Sequence, residues 1–132
     1  MITLSVPIRN SRLAVIGNAL DSAAAGGLLR IYSAPRPAIG ELLTEQILLV
    51  EIRLPKPSTW SLDAGKLTFA SIGEALCRRS GTAAWARLLD GDERWAADLD
   101  VGLTDSGAEV ELSKLALFAG GAVNVQLAEI SE

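Results

Sequence analysis

The chain has 132 residues, 49% of them hydrophobic and 21% charged, the profile of one folded domain rather than a disordered chain. It has no histidine, one cysteine and a net charge of -4. This excludes histidine-based triads, His-ligated zinc, intrachain disulfides, thiolate clusters and the basic footprint of a non-specific nucleic-acid binder.

Ile2, Leu4, Val6 and Ile8 alternate with other residues at the start of the chain. They form a strand-like stripe, read either as a docking element or as one more strand completing a sheet. Residues 1–11 lack the basic and long apolar regions of a signal peptide. No run approaches the ~18 apolar residues of a membrane helix. Synthesis in the cytoplasm, with no membrane and no nucleic-acid partner, is the expectation.

A helix is predicted over about 9–25. Leu13, Ile16 and Leu20 recur at spacings of three and four, Asn10 or Ser11 offers an N-cap, and Gly26-Gly27 offers a stop. Gly17 inside it is either a close-approach point or a defect costing about 1 kcal/mol relative to Ala. From Leu28 onward the period is two. Leu28 to Ser33 reads as a strand, ended by Ala34-Pro35-Arg36-Pro37. Gln46 to Leu54 is the clearest strand, with Leu48, Val50, Ile52 and Leu54 on one face and Ile47, Leu49, Glu51 and Arg53 on the other. Trp60 falls in a Ser/Pro-rich loop before a short strand over Lys66 to Ala70, and residues 71–80 fit a helical turn or an irregular strand.

Thr82 to Leu89 and Arg94 to Val101 read as a hairpin about Asp90-Gly91-Asp92. Trp95, Ala97, Leu99 and Val101 share one face of its return strand, and Ala96, Asp98 and Asp100 share the other. Ala108 to Leu112 follows, with Val110 and Leu112 inward and Glu109 and Glu111 outward. Ser113 to Phe118 is a connection or a short strand, and Ala122 to Ile130 is the last strand. About seven short strands at roughly 8–12-residue intervals predict a mainly β fold. The expected fold is an antiparallel β-sandwich, jelly-roll-like, with one N-terminal α-helix, in a single domain over 1–132.

Several residues are candidates for chemistry. Asp90-Gly91-Asp92-Glu93 concentrates carboxylates but lacks the EF-hand spacing, so it reads as a hairpin tip. Asp98 and Asp100, two apart on a strand, would suit a small glycoside hydrolase, or else mark a solvated sheet face. Trp60, Trp85 and Trp95 form a possible aromatic contact surface for a sugar, or else pack as core. Trp85 and Trp95 are expected near one another across the hairpin, with Arg87 over Trp95. Cys77 beside Arg78 is a candidate for a lowered thiol pKa, but a lone cysteine without histidine lacks a catalytic partner. No catalytic residue, cofactor or metal is expected.

Leu29-Arg30-Ile31-Tyr32-Ser33-Ala34-Pro35-Arg36-Pro37-Ala38 resembles a strand of a family of small bacteriophage and prophage virion proteins. The same family pattern has an Arg-Asn pair opening its helix, here Arg9-Asn10. It continues with Gly81-Thr82-Ala83-Ala84-Trp85-Ala86-Arg87, then Val101-Gly102 to Leu112, and closes with Ala119-Gly120-Gly121-Ala122-Val123-Asn124-Val125. Two departures are Ala34 in place of glycine and a shifted Asp-Gly order at the hairpin. The resemblance implies a non-enzymatic virion structural protein of β-sandwich type. Such a protein would decorate the capsid or tail, bind other virion proteins, and self-associate as a homo-oligomer. The stripe Ile2, Leu4, Val6 and Ile8 is its possible interface. The competing function is a carbohydrate-binding module for host adsorption.

Overall fold

The computed structural model describes residues 2–132. One helix, α1 (Val6–Leu20), precedes twelve strands: β1 (Leu28–Tyr32), β2 (Leu48–Arg53), β3 (Thr59–Asp63), β4 (Lys66–Phe69), β5 (Ala75–Leu76), β6 (Gly81–Thr82), β7 (Trp85–Leu89), β8 (Trp95–Leu103), β9 (Val110–Leu112), β10 (Ala116–Leu117), β11 (Ala122–Val123) and β12 (Val125–Ser131). Eight form one curled sheet in the order β2-β1-β7-β8-β9-β12-β4-β3. The pairs β10-β6 and β11-β5 form two small sheets beside it. The fold is therefore mainly β and sandwich-like with one helix, as the period-two pattern predicts.

The sheet is mixed rather than wholly antiparallel. β8 and β9 run parallel, with Val101 opposite Val110 and Leu103 opposite Leu112. Parallel neighbours usually need a crossover of a dozen residues or more. Here residues 104–109 suffice, because Glu111 holds the returning loop. Its carboxylate accepts the backbone N–H groups of Asp105 and Gly107 at 3.2 and 2.9 Å. Glu111, expected to face solvent, is 5% exposed for that reason.

The helix starts and stops earlier than its predicted 9–25. Pro7 occupies the first turn, where a missing N–H is harmless, with Ser5 at the N-cap. At the other end the Asp21 carboxylate accepts the backbone N–H of Ser58, and the helix ends. Gly26 and Gly27 do not cap it. They pass against the carbonyl oxygens of Leu54 and Leu89, where a Cβ has no room. Gly17 is a close-approach point: a Cβ there would lie 2.6 Å from Thr59 Oγ1, so α1 rests directly on β3.

One continuous core joins the inner faces of both halves of the sheet, from Leu29, Ile31 and Val50 to Leu67, Val110 and Ala128, with Leu13 and Leu20 of α1. Two β-bulges correct the predicted alternation. Between β1 and β2 the register slips so that Tyr32 faces Leu48 while Ile31 faces Val50, and Leu49 turns into the core with Val50. Between β7 and β8 it slips so that Leu89 faces Trp95 while Leu88 faces Ala97. The extra residue, Ala96, re-aims Trp95 away from the side of Ala97 and Leu99. Thr59 to Asp63, read as loop around Trp60, is a strand. It forms a hairpin with β4 through Ala64-Gly65, both at positive φ, as a two-residue turn of type I′ requires.

Candidate functional site

The outer face of β2, β1, β7 and β8 carries the chemistry-bearing side chains. Register brings Glu51, Arg30, Arg87 and Asp98 into one row across the four strands. Tyr32, Trp85 and Asp100 form the next row. Tyr32 stacks on Trp85 with ring centroids 4.8 Å apart and planes 16° from parallel. The Trp85 indole N–H donates to the Ser33 carbonyl at 2.9 Å. Arg87 lies over Trp85, its guanidinium carbon 5.2 Å from the ring centroid, rather than over Trp95.

Arg87 donates to both Asp98 oxygens at 2.8 and 3.1 Å, and the two side chains are 10% and 5% exposed. The Asp98 bond raises the Arg87 pKa above its ordinary value, against the desolvation that burial imposes. Asp98 also accepts the Trp95 indole N–H at 3.1 Å. Desolvation works against the ionised form of Arg30, but its bonds to Glu93 and Glu51 prevail and raise its pKa. The loop between β1 and β2 folds over this face. Arg36 pairs with Asp100 and donates to the Asp98 carbonyl at 3.0 Å. Arg87 donates to the Glu41 carbonyl at 3.1 Å, and Gly40 lies against the Trp95 ring.

These contacts correct two site expectations. Trp60, Trp85 and Trp95 do not share a surface. Trp85 is fully buried, Trp60 is 78% exposed on β3 at one sheet edge, and Trp95 is 47% exposed, separated from it by β9, β12 and β4. Nor do Trp85 and Trp95 meet across the hairpin, since Trp85 faces Asp100 and Trp95 faces Leu89. Asp98 and Asp100 do not form an open carboxylate pair on a solvated face. Asp98 is buried against one arginine, and Asp100 is exposed beside another. Trp95 lines a hollow of about 170 Å³ with Arg36, Pro37, Ile39 and Asp98.

The hairpin tip is held by its own carboxylates. Asp90 accepts the backbone N–H groups of Asp92 and Arg94, both at 2.9 Å. The Arg94 backbone bond is the largest cause of a pKa below the ordinary aspartate value. Among the described residues no group of three or more cysteine, aspartate or glutamate side chains is placed to hold a metal ion. Cys77 is buried, and its thiol donates to the Arg79 carbonyl at 2.8 Å, which makes it a core group rather than an accessible thiol.

The N-terminal stripe does not form a strand. Val6 and Ile8 belong to the first turn of α1, which follows Ser5 at the N-cap and accommodates Pro7 where no N–H is needed. Residues 2–5 lie outside every strand, so the stripe does not complete the sheet. Ile2, Val6 and Ile8 are exposed, Leu4 is half-buried, and none belongs to the core. Ile8 and Val15, seven apart and both exposed, share one face of the helix, with Ser11 and Arg12 between them. A groove of about 300 Å³ runs beside it between Ile2, Leu4, Arg9, Arg12 and Glu132.

Two features escaped the sequence reading. The Tyr32–Trp85 stack follows from one-to-one register between β1 and β7 and was legible only if those strands were known to pair. The Arg36–Asp100 pair joins residues 64 apart, and no local signal points to it. Among the described residues no helix is long and apolar enough to cross a membrane. No family model, curated protein or solved structure matches the chain.

Proposed function

We propose that the chain is a non-enzymatic structural component of a tailed-bacteriophage virion. It is an accessory or decoration protein held on the capsid or tail by symmetric protein–protein contacts. The observation that carries this reading is a set of apolar side chains ahead of and along α1, Ile2, Ile8 and Val15, which are exposed and take no part in the core, with Ile8 and Val15 on one helix face. Apolar side chains left outside a core and gathered at one end of a fold are candidates for an interaction site. The carboxylates support the same reading. A general acid must reach the proton it transfers, whereas Asp98 is closed in by Arg87 and Trp95. The virion context comes from the sequence resemblance.

The test uses the triple variant Ile2→Ser/Leu4→Ser/Ile8→Ser. It is expected to keep its circular dichroism spectrum and thermal midpoint while losing co-sedimentation with particles of the phage that encodes the chain. Unchanged co-sedimentation would show that this surface does not dock.

A second reading, a glycan-binding module for host adsorption, is favoured by one observation. Trp95 is part-exposed in a hollow beside Arg36 and Asp98, the mixture of aromatic face and polar groups that sugars use. A glycan array probed with the native chain and with Trp95→Ala decides it: Trp95-dependent binding favours the module.

A further inference from the structure

We infer that the segment preceding α1 in one copy of the chain adds as a ninth strand to the β3 edge of a second copy. The inference rests on the assembly role proposed above and names the surface through which copies join.

The sheet has two edges, β2 and β3. The β2 edge is obstructed. Arg78 donates its backbone N–H to the Leu49 carbonyl at 2.7 Å, and the Arg78 side chain reaches Glu51 across that edge. The β3 edge is open, since β3 pairs with β4 alone. Natural edges are usually blunted by lysine, proline or an inward charge. Thr59-Trp60-Ser61-Leu62-Asp63 has none of these; its two other guards, a register slip at Thr59–Ser61 and the packing of α1 at Thr59, both fall at its first residues and leave Ser61–Asp63 unguarded. Its one charged side chain, Asp63, sits at the turn and accepts the Ala64 N–H. A register slip between Thr59 and Ser61 swings Trp60 out to 78% exposure and leaves Ser61–Asp63 as the regular part of the edge. An exposed indole beside unpaired backbone groups is a strong anchor for an added strand.

The segment Ile2-Thr3-Leu4-Ser5 has the matching chemistry. It carries no charge and no proline, its apolar residues alternate, and it pairs with no strand. Ser5 is already extended, at φ -65° and ψ 157°. The three residues Ile2 to Leu4 equal the regular length of the edge, and period two places Ile2 and Leu4 on one face.

The segment cannot serve its own β3. α1 runs along β3 with Gly17 at Thr59 and Asn10 at the β3–β4 turn, where Asn10 Oδ1 accepts the Gly65 N–H at 2.8 Å. Ile2 to Leu4 lie at that end, beside Arg9, Arg12 and Glu132, whose backbone N–H donates to the Gly65 carbonyl at the turn. A neighbouring copy presents the same edge without this constraint.

The test mixes chains carrying Thr3→Cys with chains carrying Ser61→Cys under mild oxidation. Adjacent strands bring such pairs within disulfide reach, and Cys77 is buried and does not compete. Crosslinked dimer from this mixture is expected at roughly tenfold the amount given by Thr3→Cys with Arg53→Cys on the β2 edge. Trp60→Lys, an edge guard at an exposed site, is expected to keep the fold and to lower the oligomer fraction in sedimentation velocity. Equal crosslinking at both edges, or an oligomer unchanged by Trp60→Lys, overturns the inference. A chain that stays monomeric at every concentration also overturns it. Attachment to a different virion protein would then stand or fall separately, on the particle co-sedimentation above.

Discussion

Asp98→Ala separates a structural from a chemical role for the row of charges on the outer sheet face. In the native chain Arg87 gives two hydrogen bonds to Asp98, and both side chains are almost wholly buried. Removing the carboxylate leaves the guanidinium desolvated, with the Glu41 carbonyl and the Trp85 ring as its remaining partners. Breaking a buried pair by deleting one member costs about 3–5 kcal/mol, and the two surviving contacts place this case near the lower bound. At a sensitivity of about 4 °C per kcal/mol for a chain of this size, the melting temperature falls by about 12 °C. The double variant Arg87→Met/Asp98→Leu removes both charges and recovers most of that loss. Urea unfolding followed by circular dichroism, arranged as a double-mutant cycle, reads both effects. A loss below about 1 kcal/mol for Asp98→Ala, the range of solvated pairs, would refute the argument. So would a double variant no more stable than the single one. Either result would reopen Asp98 as a reactive group.

Val50→Asp is expected to abolish folding, because Val50 is fully buried and an unpaired charge there has no partner; a cooperative native-like melt would contradict this. Gly17→Ala removes the intrinsic penalty of a helical glycine but drives a Cβ to 2.6 Å from Thr59 Oγ1. A net loss of about 1–3 kcal/mol is expected, the range of overpacking. Chemical denaturation should show this loss relieved in Gly17→Ala/Thr59→Ala. The Asp90 carboxyl lies below its unfolded value of 3.8 because backbone N–H groups bind its ionised form. Its stabilising contribution is therefore full above that value and lost as pH falls through the lower native one. An NMR titration of the Asp90 carboxyl carbon with a midpoint at or above 3.8 would contradict the hydrogen-bonded tip.

Regular alternation made β1, the centre of β2 and the β7–β8 hairpin legible, since one buried face imposes a period of two. Where the structure departs from the reading, a single inserted residue or a non-local contact is responsible. Ala96 in one bulge moved Trp95 off the side of Leu99, and Leu49 in another entered the core. A bulge leaves no composition signal when all the residues around it are apolar. The parallel β8–β9 pair was hidden because its loop depends on Glu111, a residue whose charge argues for exposure. β3 was masked by Pro55, Pro57 and Ser58 before it, although Asp63-Ala64-Gly65 held the hairpin signal. At the candidate site the reading found Arg87, Asp98 and Asp100 individually. It did not find their partners, because the covering loop reaches them from 46 to 64 residues away in sequence.

The proposed virion role is tested most directly by cryo-electron microscopy of intact phage particles produced by the strain that encodes the chain. Density fitting this curled sheet and helix is expected at symmetry-related positions on the capsid or tail, with α1 and the residues before it at the contacts. Purified, infectious particles that lack the chain both in the reconstruction and by mass spectrometry would contradict it.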